Sequence, residues 1–156
     1  MVAAEDVTTR LALREAAERY GAAVDRRDPE LFAAQFTRDG VLVAPRGRYA
    51  GHDELRKVPP MMAALYEGTF HGVLSQVAEI DGHTAKAETY CIARHFFHDS
   101  AGQHLCYEMT IRYQDDLVLH DGRWLFSRRE LLVDFTQVSQ AGALPGDMGK
   151  RSGRTE

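Results

Sequence analysis

The chain has little cysteine, little proline and no long apolar run, and it lacks a basic excess. Two cysteines, Cys91 and Cys106, stand among 156 residues. Neither belongs to a Cys-x-x-Cys pair or to a Cys/His cluster with zinc spacing, so redox and structural-metal chemistry have no motif to rest on. Five prolines and thirteen glycines are too few for a largely disordered chain. No apolar run approaches the ~20 residues of a membrane-spanning helix. Met1 to Arg14 lacks the basic-then-apolar layout of a secretory signal. These absences point to a cytoplasmic protein without a membrane partner. The formal net charge is −4, whereas a nucleic-acid partner held through its phosphates needs a basic face. No nucleic-acid partner is expected.

What is present is an ordinary globular composition, 44% hydrophobic and 27% charged. A chain of this size can bury roughly 70% of its unfolded surface and needs no metal or disulfide to fold. It reads as one domain over residues 1–138. The tail over 139–156, rich in Gly, Ser and charge, reads as flexible.

The apolar pattern changes period partway along. Over residues 6–26, Val7, Leu11, Leu13, Ala17, Tyr20 and Val24 recur at helical steps. Asp28-Pro29-Glu30 is a helix start, with a capping Asp, Pro at the first position and an acid near the positive helix end. This second helix is expected over 29–36. Asp39-Gly40 is expected to turn into a short strand, Val41 to Ala44. A third helix is expected over 51–66, broken or bent at Pro59-Pro60. From residue 69 the period is two. Strands are expected at 70–80, 84–98, 104–119 and 123–137, joined at Asp81-Gly82, Asp99 to Gly102 and Asp121-Gly122. Three helices followed by an antiparallel meander make an α+β fold, with the helices packed on one face of a curved, mainly antiparallel sheet.

Parity divides the strand from Ala85 to Phe97. Ala85, Ala87, Thr89, Cys91, Ala93, His95 and Phe97 share one face, small and nearly uncharged. This is expected to be the concave face under the helices, leaving room for a cavity. On the next strand Leu105, Tyr107, Met109, Ile111 and Tyr113 join it. Cys91 then faces inward and Cys106 outward, so no disulfide links them. The outer face carries Tyr90, Ile92 and Phe96, an apolar stripe that belongs either to a partly covered sheet with scattered apolar residues or to a contact between copies of the chain, the second being the expectation.

Three side chains could carry chemistry. Asp25 falls at the end of the first helix. It is either a solvated member of the run Asp25-Arg26-Arg27-Asp28 or a carboxylate aimed into the cavity. His71 begins the first long strand and His95 lies on the inward face. A histidine titrates near neutral pH, and a carboxylate partner fixes its tautomer. Tyr20, five residues before Asp25, can reach the same cavity if the helix lies across it.

The segment Arg19 to Asp28, followed by Phe36-Thr37-Arg38-Asp39-Gly40-Val41, resembles the SnoaL-like branch of the nuclear-transport-factor-2-like superfamily. Thr69-Phe70-His71, Arg112-Tyr113-Gln114-Asp115 and Asp121-Gly122-Arg123-Trp124, with Arg129 and Asp134 behind them, agree with it. The resemblance implies a cone-shaped α+β barrel with a hydrophobic pocket. Asp25, His71 and His95 match the scytalone dehydratase-like pattern, and Tyr20, Asp25 and His71 match the bile-acid dehydratase-like one. The tyrosine that both place in or after the strand following the second helix has no counterpart in Val43-Ala44-Pro45; Tyr49 is the nearest. The carboxylate base of the ketosteroid isomerase pattern would fall near Ala44.

The resemblance implies a dehydratase, isomerase or cyclase needing no metal or organic cofactor, with Asp25, His71, His95 and Tyr20 as catalytic residues. Tyr49, Tyr107, Met109, Cys91 and Phe97 would contact a small apolar substrate, such as a polyketide-like or terpenoid-like intermediate of secondary metabolism. Homo-oligomers, dimers or trimers, would form through the outer face. The alternative is a non-catalytic ligand-binding or assembly module of the same fold.

Overall fold

The structure, a computed structural model, describes residues 4–142. Helix α1 spans Ala4–Asp25. It buries Leu13, Ala16, Ala17, Tyr20, Ala23 and Val24, while Val7 and Leu11 of the expected face are exposed. At 100° per residue Leu11 lies on the far side of the helix from Leu13. The helix ends in a Schellman closure. Arg27 takes the left-handed conformation (φ 58°), its N–H donates to Val24 O (3.0 Å), and the Asp28 N–H donates to Ala23 O (2.9 Å). That closure fixes Asp25 in the last turn. Asp28 then caps α2 (Pro29–Ala33), accepting from the Leu31 N–H.

The next stretch differs from the sequence expectation. Helix α2 ends at Ala33, and strand β1 runs Phe36–Ala44. Phe36 leaves the helix because its ring packs against Phe126 (5.5 Å between centroids) and Phe32 (5.6 Å). Asp39-Gly40 is therefore an irregularity within β1, not a turn before it. A Cβ on Gly40 would lie 2.8 Å from Phe36 Cβ and 2.9 Å from Phe126 O, so only glycine fits. Strand β2, Gly47–Ala50, was not anticipated; it pairs back on β1 with Ala44 opposite Gly47.

The expected third helix is two, α3 (Gly51–Leu55) and α4 (Val58–Leu65). Pro59 and Pro60 sit in the first turn of α4, where no helical N–H is needed. Strands β3 (Gly68–Asp81), β4 (Thr84–His98), β5 (His104–His120) and β6 (Arg123–Gln140) form the meander. Strand β6 passes the expected domain end at 138. Residues 143–156 of the expected tail lie outside the described residues.

The strands form one sheet in the order β2-β1-β6-β5-β4-β3. Only β1 and β6 are parallel. The sheet is a curved, cone-like α+β layer that does not close into a barrel, because β2 and β3 remain edges. Helix α1 covers the β3 edge, where Arg14 Nη1 donates to Leu74 O (2.6 Å) and Arg10 Nη1 to Ala78 O (3.1 Å). Among the described residues no helix is long and apolar enough to cross a membrane.

The parity of β4 holds: Ala85, Ala87, Thr89, Cys91, Ala93 and His95 are buried beneath the helices. Both cysteines are free and buried, and Cys106 pairs with Phe96 on the outer parity. One ion pair lies in the core. Arg129 grips Asp115 through two 2.7 Å hydrogen bonds. Its guanidinium stands 4.0–4.4 Å from the ring centroids of Phe126, Tyr113 and Tyr20. Bidentate pairing and ring stacking are what arginine offers over lysine at such a site.

Candidate active site

Helices α1 and α4 and all six strands contribute to one pocket. The last turn of α1 brings Asp25 to the start of β3. There Asp25 Oδ1 accepts from the His71 Nδ1–H (2.7 Å) and the Thr69 hydroxyl (2.8 Å). Oδ2 accepts from the His71 backbone N–H (2.9 Å). Burial alone would raise the Asp25 carboxyl; the hydrogen bonds and charge of His71, with the Thr69 hydroxyl, outweigh it and hold the group below its ordinary range. The His71 side chain is 6% exposed. In the neutral ring, with Nδ1–H committed to the carboxylate, Nε2 carries the lone pair. This tautomer is assigned from the hydrogen bond.

Gly21 makes this contact possible. It lies one turn before Asp25, and a Cβ there would stand 3.1 Å from His71 Cβ. No local pattern singles it out, except that a glycine inside a helix costs stability.

His95 sits on β4, its ring 5.8 Å from that of His71 and nearly perpendicular. Its Nδ1–H donates to Tyr107 O (3.2 Å). Burial first, then the adjacent His71, push its pKa down to about 4. His95 is therefore neutral at physiological pH, with Nε2 an acceptor.

Tyr20 borders the pocket, its ring packed against Phe32 and Tyr113. Burial raises its hydroxyl well above the ordinary tyrosine range, against the opposing charge of Arg129, so it stays protonated.

The cavity bounded by these groups measures about 240 Å³. Ligand sites commonly run from roughly 300 Å³ upward, and about 150 Å³ suffices for benzene. This pocket suits a compact ring compound. Its walls are largely apolar, with Leu42, Val58, Met62 and Leu131 among them, and Tyr49, Tyr107 and Met109 contribute as well. Cys91 and Phe97 do not line it. Cys91 is sealed in the core at 1% exposure, and burial pushes its thiol up to about 11. Phe97 packs edge-on against Tyr66 (6.4 Å), and Tyr66 takes the wall position. Sequence reasoning missed Tyr66, Arg46 and Thr69 as contributors; each acts through tertiary proximity that no local pattern signals.

Only one trio among the described residues brings metal-ligand atoms together: Glu67, His98 and His104, within 4.8 Å of one another. It lies at the surface, outside this pocket. The two imidazoles stack at 4.6 Å with planes 11° apart. Lone pairs in parallel ring planes do not meet at one point, so the three do not form a shaped metal site; His98 Nδ1 and His104 Nε2 each stand 3.4 Å from Glu67 Oε2.

The fold is an open α+β cone with a carboxylate–imidazole pair beside an apolar pocket. The sequence matches the SnoaL-like domain family over residues 5–130, and the chain belongs to that family. Solved structures share its fold. A scytalone dehydratase candidate from Novosphingobium aromaticivorans DSM 12444 has 24% identity and a TM-score of 0.75, over 85% of this chain and 88% of the other. A type-2 hexachlorocyclohexane dehydrochlorinase, LinA, has 16% identity and a TM-score of 0.78, over 90% and 96%. The type-3 enzyme of Novosphingobium barchaimii LL02 has 14% identity and a TM-score of 0.73, over 85% and 91%. No curated protein matches the sequence.

Proposed function

We propose that the chain is a cofactor-independent acid/base enzyme of the lyase or isomerase kind, a dehydratase, isomerase or cyclase. Its substrate is a compact, mainly apolar small molecule, such as a polyketide-like or terpenoid-like ring compound. The observation that carries this reading is the 2.7 Å Asp25–His71 hydrogen bond beside a cavity that both histidines line. Neighbours of the same fold bear names of eliminations, a dehydratase and dehydrochlorinases, which agrees with it.

In this reading His71 Nε2 takes a proton α to a carbonyl. Asp25 holds the tautomer and stabilises the imidazolium that forms. The imidazolium then returns the proton to the departing hydroxyl, so one residue completes the elimination of water. His95 Nε2 accepts a hydrogen bond from the substrate hydroxyl and orients it. Tyr20 remains a donor at the pocket wall.

The α-proton step can be tested before the substrate is known. 2-Tetralone in D₂O is incubated with the protein, and exchange at the α carbon is followed by NMR. Protein-dependent exchange is expected, falling by about 10²–10⁴-fold in His71→Ala. Unchanged exchange in that variant would overturn the assignment.

We also propose that copies associate through the outer sheet face. Phe135 there is 76% exposed and pairs with Thr110, itself opposite Ile92. Tyr90, Leu132 and Phe70 extend the patch. Sedimentation should show an oligomer that Phe135→Glu dissociates; a wild-type monomer would refute it.

A further inference from the structure

We propose that the pocket binds a substrate whose apolar body carries one carboxylate, and that Arg46 at the mouth is the residue that holds it. This rests on the reading of the pocket as the ligand site. Ala44 pairs with Gly47 across the β1–β2 hairpin, so Pro45 and Arg46 form its two-residue tip. The tip overhangs the cavity, and the Arg46 side chain forms part of its wall. Nη2 donates to the Tyr66 hydroxyl (3.3 Å), and the Tyr66 ring packs on His95 at 4.7 Å. Arg46 and Tyr66 thus meet at the pocket wall, beside His95.

Arg46 has no carboxylate partner among the described residues. Arg10, Arg14, Arg19, Arg56, Arg94, Arg112, Arg128 and Arg129 all do. Other arginines also lack one, but Arg46 is the arginine on the wall of this cavity. No carboxylate lines the cavity.

Arg46 is exposed, so a neutral ligand leaves its guanidinium in water and gains nothing from its charge. A carboxylate placed against it forms charge-assisted hydrogen bonds in bidentate form. With the acid at Arg46, the apolar body points inward and its carbon skeleton faces His71 and His95. The same charge contributes to the low basicity of His95, consistent with its nearness.

The test is a matched pair of probes, 2-naphthoate and neutral 2-naphthamide, titrated calorimetrically into wild type, Arg46→Gln and Arg46→Lys. Wild type should prefer naphthoate by about tenfold or more. Arg46→Gln should lose the preference through weaker binding of naphthoate, and Arg46→Lys should keep part of it. Equal binding of the two probes by wild type, or a preference that survives in Arg46→Gln, overturns the proposal and leaves the acid/base reading standing. Binding of neither probe removes the pocket as a ring-compound site, and both readings fall. Arg46 is exposed, so an unchanged melting temperature is expected for each variant.

Discussion

His71 is held by Asp25 at two points, through its ring Nδ1–H at 2.7 Å and its backbone N–H at 2.9 Å. One carboxylate thereby fixes where the histidine starts in β3, how its ring turns and which nitrogen faces the cavity. The Thr69 hydroxyl, two residues earlier on the same strand, completes the cradle.

Asp25→Asn should therefore impair α-proton exchange without unfolding the protein. An amide keeps the size of the carboxylate but not its charge, and it can turn its NH₂ toward His71 and select the wrong tautomer. A fall of about 10²–10⁴-fold is expected by NMR exchange rate. Thr69→Val removes one neutral donor and should cost far less, about 1 kcal/mol in the same measurement.

Gly21→Ala tests the close approach of α1 to β3. Alanine favours the helix by about 1 kcal/mol, but its Cβ would stand 3.1 Å from His71 Cβ. The two effects oppose each other in stability. In the site they do not, because any shift of His71 displaces the base. The expected result is a melting temperature close to wild type with exchange reduced by about tenfold or more.

His95 makes stability depend on acid. Its folded pKa is about 4, below the ordinary 6.5. Between these values the unfolded chain binds more protons, so stability rises with pH across the window. The contribution is complete above pH 6.5 and is lost as pH falls toward 4. Asp25, whose folded pKa is also lowered, adds a further loss at still lower pH. Urea titrations of wild type should show a decline between pH 6.5 and 4 that is steeper than in His95→Gln, by about 3 kcal/mol at most.

The Arg129–Asp115 pair should behave as a unit. Both side chains are essentially inaccessible, at 1% and 0%. Asp115→Ala leaves a guanidinium buried without a counter-charge, at a cost of about 3–5 kcal/mol by denaturant unfolding. Asp115→Leu combined with Arg129→Met removes both charges and should recover most of that loss. A double variant no better than the single one would show that the stacking of Arg129 on its three rings matters more than its charge.

Local chemistry in the sequence determined much of this protein. Period-two alternation placed β3 to β6, because each strand buries one face and successive side chains point to opposite sides. The same parity put His95 and Cys91 inward. Asp28-Pro29 set the start of α2 through a cap and a fixed φ. Tertiary structure decided what local preference could not. Phe36 joined a strand because its ring packs with Phe126. Tyr66 displaced Phe97 from the pocket wall. The run Asp25-Arg26-Arg27-Asp28 was ambiguous between solvent and site; the Schellman closure at Arg27 and the missing Cβ of Gly21 turned Asp25 onto His71. The Asp25–Thr69 and Phe36–Phe126 contacts join residues 44 and 90 positions apart in the chain, where only the packed fold, and no local pattern, brings the groups together.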